Sequence, residues 1–187
     1  MKVNYVTTNK MKFEIAKAYF EKIDGDYELV ECAIETPEVQ DVSVEEIARQ
    51  SALWAARKTG KPCIKLDVGC FIPILNGFPG PFVKYINDWL TQEDYLALLR
   101  DKSDRKAYFE GSLAIAYPDG ETKVFSQKVF GSIASISDPS ASRWPMDALF
   151  IPDGYPYTLG KMTDDEQVRF WGDGNWPALV EYLEYSS

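Results

Sequence analysis

Histidine is missing from this chain, and cysteine is scarce, with three in 187 residues. The first absence removes Ser-His-Asp and Cys-His catalysis, in which an imidazole carries the proton. The second argues against zinc, because Cys32, Cys63 and Cys70 form no CxxC pair. Three isolated thiols with apolar neighbours fit reduced cysteines in a cytoplasmic protein. Basic stretches are also lacking: 20 Lys and Arg stand against 29 Asp and Glu, a net charge of −9. Without a basic stripe there is nothing to neutralise a nucleic-acid backbone, so a polymer of that kind is not the expected partner. No apolar run is long enough to cross a membrane. Residues 1–20 carry Lys2, Lys10, Lys12 and Glu14 and do not read as a signal peptide. Acid–base work is left to carboxylates, lysines and metal-bound water.

The length fits one domain over residues 1–187, and 45% hydrophobic with 14% aromatic residues is enough for a real core. Apolar periodicity predicts strands at 2–7, 27–33 and 63–68 and a helix at 10–22. Ser43-Val44-Glu45-Glu46 reads as a capping box opening a helix that Gly60 and Pro62 end. Residues 82–90 and 92–100 read as short helices. The clearest hairpin pairs 106–117 with 121–131 across Pro118-Asp119-Gly120, with 132–136 continuing past a bulge at Gly131. Residues 137–146 read as a loop and 147–151 as a short strand. A helix begins near Thr163 and is broken by Gly172-Asp173-Gly174-Asn175, and a last helix spans 176–185. Helices and strands intermix around a long hairpin, which predicts a mixed α/β fold and not a doubly wound sheet.

Three places could carry chemistry. In Val6-Thr7-Thr8-Asn9-Lys10-Met11-Lys12 a strand ends in small polar residues and a basic helix follows. Unpaired N–H groups and the helix dipole favour a phosphate there, and Lys10 and Lys12 add charge. An ordinary strand–helix turn with solvated lysines reads the same residues equally well. Asp67 ends an apolar strand beside Gly69, a position suited to a metal, to a water, or simply to capping a turn. Glu38 sits in an acidic loop. Lys84 follows the stiff segment Gly77-Phe78-Pro79-Gly80-Pro81.

Taken together, these blocks resemble the inosine triphosphate pyrophosphatase family, enzymes that hydrolyse non-canonical purine nucleoside triphosphates to monophosphate and pyrophosphate. The blocks are Thr7-Thr8-Asn9 with Lys12, Asp67-Val68-Gly69-Cys70-Phe71, and Asn76 to Lys84. Further on come Phe109, Asp147 with Phe150, Pro152-Asp153-Gly154-Tyr155 and Met162, so nearly the whole chain matches in order. The resemblance implies an elongated mixed sheet with flanking helices in two lobes around a central nucleotide cleft. It implies a magnesium cofactor, a nucleoside triphosphate as substrate and a homodimer. It assigns Thr7, Thr8, Asn9, Lys10, Lys12 and Lys84 to the triphosphate, Glu38 and Asp67 to the metal, and Trp144 with Asp147 to the base. Asp67 and Lys12 become the expected catalytic residues.

The chain also departs from that family. Its Ser-His-Arg signature, which helps recognise a 6-oxo purine, is here Trp171-Gly172-Asp173. A family lysine just before it is Gln167, and the acid usually preceding Asp67 is Leu66. The metal-and-phosphate half is thus largely kept while the base-reading half is rewritten, with Trp144, Trp171 and Arg169 as candidates for new base contacts. The expectation is a magnesium-dependent pyrophosphatase of altered base selectivity. The alternative is a catalytically impaired nucleotide-binding or regulatory protein on the same fold.

Overall fold

The computed structural model of the chain describes residues 1–138, 140 and 144–185. Its elements run β1 (Lys2–Val6), α1 (Lys10–Phe20), β2 (Glu28–Cys32), α2 (Val44–Thr59), β3 (Cys63–Phe71), β4 (Pro79–Gly80), α3 (Val83–Trp89) and α4 (Gln92–Leu98). They continue with β5 (Lys106–Ala116), β6 (Thr122–Ile133), α5 (Pro145–Leu149), β7 (Phe150–Pro152), α6 (Asp164–Gly172) and α7 (Trp176–Tyr185). The seven strands form one sheet in the order β2-β1-β3-β5-β6-β7, with β4 paired to β3. The sheet is mixed, as expected: β1 runs parallel to β2 and β3, while β4 and β7 are antiparallel to their partners.

Two compact units arise from this chain. The first comprises Met1–Asp67, Gly111–Gln127 and the chain from Val168 onward; the second comprises Val68–Glu110 and Lys128–Gln167. In the first unit the period-two pattern of the strands fills two separate cores. Val3, Tyr5, Ile64, Leu113 and Ile115 face α1 and α7, meeting Ile15, Ala16, Phe20, Trp176, Leu179 and Leu183. Val6, Cys63, Ala114 and Ala116 face the other way and are covered by α2 through Ala48, Ala52, Ala55 and Ala56. Those alanines recur every three or four residues and so line one stripe of the helix, and their small side chains let it lie close to the sheet.

The start of α2 corrects the sequence reading in one detail. The Ser43 side chain accepts from the Glu46 backbone N–H (3.2 Å), but the Glu46 carboxylate turns to Arg49 and Gln50 instead of reaching back. Asp41 Oδ1 takes the Ser43 N–H at 2.9 Å in its place. Complete capping boxes occur where the sequence reading placed none, at Thr91 with Asp94 and at Thr163 with Glu166.

In the second unit, Tyr95 is fully buried, and Phe109 meets Phe150 edge-to-face with ring centroids 4.9 Å apart. Arg105 closes the sheet edge by donating to the Ile133 and Ala134 carbonyls. The strand expected at 147–151 is a helix followed by a strand. Pro145 opens α5 at a position where its missing N–H costs nothing, and only Phe150–Pro152 is extended. Gly131 is not the start of a bulge: β6 runs on through it, pairing it with Pro152. A Cβ there would lie 2.3 Å from the Ile151 carbonyl and 2.7 Å from the Phe150 ring, so β7 can dock only on a glycine. Gly131→Ala is therefore expected to destabilise the protein by about 1–3 kcal/mol, the usual cost of overpacking. Gly111→Ala, whose Cβ meets nothing closer than 3.8 Å, is the control. Urea unfolding curves check this, and equal midpoints for the two variants would contradict it.

Candidate active site

Three parallel strands deliver one set of candidates. β1 and β2 are in register at Val6 and Cys32, and β1 and β3 at Tyr5 and Ile64. Thr7 leaves the end of β1, and the acidic segment 33–42 leaves the end of β2. Asp67 stands three residues beyond Ile64, one residue past the level of Thr7. Thr7 and segment 33–42 thus emerge at the carboxyl ends of parallel strands, the end at which open α/β sheets bind ligands. Asp67 does not end its strand as the sequence suggested, because β3 runs on to Phe71, and it lies mid-strand just past the level at which its neighbours stop.

The turn after β1 is ordered by its own polar side chains. Thr7 Oγ1 accepts from the Asn9 N–H and Asn9 Oδ1 accepts from the Lys12 N–H, both at 3.1 Å. Asn9 is the N-cap of α1, so Thr8 and Lys10 are held on an exposed turn and Lys12 lies half-buried in the first helical turn. The N–H groups of Lys10 and Met11, at the start of α1, have no acceptor within the helix and add to the positive end of its dipole.

Glu38 is exposed, and Asp67 is half-buried with its Oδ2 atom shielded from solvent. The segment that carries Glu38 is tied to the strand that carries Asp67 by Lys65, whose Nζ donates to Thr36 Oγ1 at 3.3 Å. Sequence reasoning passed over Lys65, which looks there like an ordinary polar position on a strand. Its one signal is a cation two residues before the site aspartate, and hence on the same face of the strand. Leu66 faces the opposite way and packs against the core shared by α1 and α7.

The remaining candidates belong to the second unit. Lys84 lies exposed at the start of α3, its ammonium 5.5 Å from the Tyr85 ring centre. Ahead of it, Asn76, Gly77 and Gly80 all take positive φ, which fixes the path of the segment entering the helix. Trp144 is the N-cap residue of α5 and Asp147 lies in its first turn. Asn87 joins the two helices: its Oδ1 accepts from the Met146 N–H and from the Tyr95 hydroxyl, each at 3.2 Å. Lys84 is therefore carried on the helix braced against the one bearing Trp144 and Asp147. Burial pushes the Cys70 thiol up, and the nearby Asp147 carboxylate adds to the shift, so Cys70 stays neutral.

Residues 3–170 match the Ham1 family. The chain is 35% identical over 186 residues to a dITP/XTP pyrophosphatase of Thermococcus kodakarensis, covering 99% of this chain and 97% of that protein. A dITP/XTP pyrophosphatase of Methanopyrus kandleri is 34% identical, with 90% and 88% of the chains covered. Among solved structures, a nucleoside-triphosphatase / dITP/XTP pyrophosphatase from Mycobacterium abscessus superposes with a TM-score of 0.77 at 27% identity over 98% of this chain and 99% of that one. The Staphylococcus aureus Ham1 protein shares the fold, with a TM-score of 0.82 at 23% identity and full coverage of both chains. The chain belongs to the Ham1 family.

In this Ham1-family chain the positions that depart from the resemblance have structural work. Trp171 packs against the core of the first unit. A Cβ on Gly172 would come within 3.2 Å of the Tyr19 ring, so glycine lets the end of α6 approach α1. Asp173 accepts from the Tyr19 hydroxyl at 2.9 Å, and burial together with that carboxylate pushes the Tyr19 hydroxyl up to about 12. Asn175 donates to the Gly111 and Phe125 carbonyls, clasping both strands of the hairpin. Gln167 donates to the Leu159 and Met162 carbonyls within the second unit.

Asp138 is held through both its backbone and its side chain. Its backbone exchanges hydrogen bonds with the Gln92 side chain, and its carboxylate meets Lys161 at 2.5 Å. The Lys161 ammonium, followed by Ser140, holds the Asp138 carboxyl down at about 2. A carboxyl depressed in the folded state stabilises the fold above its ordinary pKa of about 3.9, and that contribution is lost as pH falls toward 2. Carbon-detected NMR titration should place Asp138 near the low value, and Lys161→Met should raise its midpoint toward the ordinary one. A midpoint indifferent to Lys161 would contradict the pairing.

Proposed function

We propose that this chain is a nucleoside triphosphate pyrophosphatase that cleaves a non-canonical purine nucleoside triphosphate to monophosphate and pyrophosphate. The observation that carries the proposal is that the Thr7–Lys12 turn and the Glu38 segment leave the ends of β1 and β2 near the level at which Asp67 lies on the longer, parallel β3. Relatives named dITP/XTP pyrophosphatases that align over nearly the full length support it.

A hard divalent cation such as magnesium suits the residues present. The donors are carboxylate oxygens, imidazole is absent, and two of the three thiols are buried. Among the described residues, no group of three or more His, Cys, Asp or Glu is arranged to hold a metal alone. Glu38 and Asp67 would supply protein oxygens to a cation that arrives with the triphosphate. When bound, the cation neutralises charge at the triphosphate oxygens.

The protein's own residues then divide the work. Thr7, Thr8 and Asn9, with the helix-start N–H groups, hold phosphate oxygens, and Lys10 and Lys12 balance their charge; the family resemblance assigns Lys84 to the triphosphate as well. A lysine about 4 Å from a phosphate charge gains roughly 4 kcal/mol gross at an effective dielectric of about 20. Asp67 orients the attacking water and takes its proton as the oxygen adds to the α-phosphorus and pyrophosphate leaves. Trp144 and Asp147 contact the base. With Trp171, Gly172 and Asp173 committed to packing, the enzyme lacks one set of buried partners for a 6-oxo purine, and discrimination that depends on such partners weakens. We infer an altered base preference, and a cytoplasmic homodimer as the family resemblance implies. Among the described residues no helix is long and apolar enough to cross a membrane.

Pyrophosphate release from dITP, XTP, GTP and ATP with magnesium tests this reading. At least one triphosphate should turn over, and Asp67→Asn should lower its kcat by about 10²–10⁴-fold, the usual worth of a positioned general base. Lys12→Met should lower kcat/KM. No turnover of any triphosphate above the Asp67→Asn level would refute the activity.

A further inference from the structure

Segment 33–42 between β2 and α2 has no regular structure, yet it must present Glu38 in one place if that carboxylate is to act with Asp67. Three contacts hold it. Ile34 packs against the alanine face of α2. Thr36 accepts from the Lys65 ammonium at 3.3 Å. Asp41 caps the Ser43 N–H at 2.9 Å. Glu38 lies between the last two anchors and only two residues from Thr36. Pro37 stands between them with its φ fixed, so holding Thr36 largely sets the direction in which the chain reaches Glu38.

We propose that Lys65 is a positioning residue for the metal-binding carboxylates, acting through Thr36 on Glu38. The inference rests on the pyrophosphatase reading and adds a residue to it. Lys65 and Asp67 share one face of β3, about 7 Å apart along the strand. The same strand thereby carries one carboxylate directly and fixes the segment that carries the other. A lysine suits this role: its ammonium reaches across on a long stem, and its charge offsets an acidic segment that includes Glu35, Glu38 and Asp41.

The test uses the full chain and three variants: Lys65→Met, which keeps the stem and removes the donor; Lys65→Arg, which keeps charge and donor; and Thr36→Val, which removes the acceptor. Hydrogen exchange of residues 34–42 is measured first, without nucleotide or metal. Loss of one such hydrogen bond should speed exchange by roughly two- to tenfold in Lys65→Met and Thr36→Val, with Lys65→Arg close to the parent. Magnesium is then varied in the pyrophosphate-release assay at saturating triphosphate. The half-saturating magnesium concentration should rise by a similar factor in the two disrupting variants, while kcat at saturating magnesium changes less. Unchanged exchange in both variants overturns the proposal. So does faster exchange with an unchanged or lowered magnesium requirement, which would reduce the contact to a structural one. Should Lys65→Met not fold, Thr36→Val decides the matter alone. A parent protein that releases no pyrophosphate overturns the activity reading instead, and the exchange experiment separates that failure from a missing tether.

Discussion

The position of β1 between two parallel neighbours governs the first unit. A parallel strand cannot connect to its neighbour by a tight turn, so each must be followed by a crossover. Here α1 follows β1, and the irregular segment with α2 follows β2. Because the registers fix Val6 beside Cys32 and Tyr5 beside Ile64, the exits from β1 and β2 fall at one end of the sheet together with Asp67. The burial of Val3, Tyr5 and Val6 on alternating faces makes that register costly to change, since a one-residue slip would turn each side chain toward the wrong core. Site geometry is in this sense a by-product of packing: the same alternation that fills two cores brings three polar segments to a common edge.

Much of this was legible in the sequence where local chemistry decides the outcome. Ser43 as N-cap, Gly60 in the left-handed conformation at the end of α2 and the Asp119-Gly120 turn all depend on residues within a few positions of one another. What was not legible depends on distant partners. Gly131 reads as a bulge until β7 arrives beside it, and 147–151 reads as a strand because buried Ala148, Leu149 and Phe150 are equally apolar in either conformation. Glu46 could have completed a capping box, but Arg49 and Gln50, one helical turn on, offered charged and amide donors in its place. The candidate site divides the same way. The Thr7–Lys12 turn could be recognised from its own residues, whereas Lys65 reaches a partner 29 positions away and Asn87 one 59 positions away.

Trp171, Gly172 and Asp173, which differ from the family pattern, are built into the packing of the first unit. A histidine and an arginine at 172 and 173 would need room, and here a glycine against Tyr19 and an aspartate bonded to it leave little. The neighbouring Asn175 amide satisfies two strand carbonyls at 2.7 and 2.8 Å, so the turn between α6 and α7 is fastened to the hairpin as well as to α1. Each contact is modest, about 0.5–1.5 kcal/mol for a hydrogen bond, but a donor or acceptor left unsatisfied on removal costs more than the bond contributed. Restoring the family residues one at a time would therefore disturb packing before it restored recognition.

Electrostatics sets a last constraint. With a net charge of −9 the molecule repels free polyanions at long range, yet that field is screened beyond about 8–10 Å at physiological ionic strength. On the proposed reading, what an arriving triphosphate would meet at contact distance is local: the start of α1 with Lys10 and Lys12. The carboxylates of Glu38 and Asp67 would oppose a bare triphosphate and favour one already carrying a divalent cation. On that reading, an acidic protein with a few well-placed lysines would select the metal complex over the free anion. The acidic segment that looks unsuited to a phosphate ligand would then be the part of the proposed site that calls for the metal.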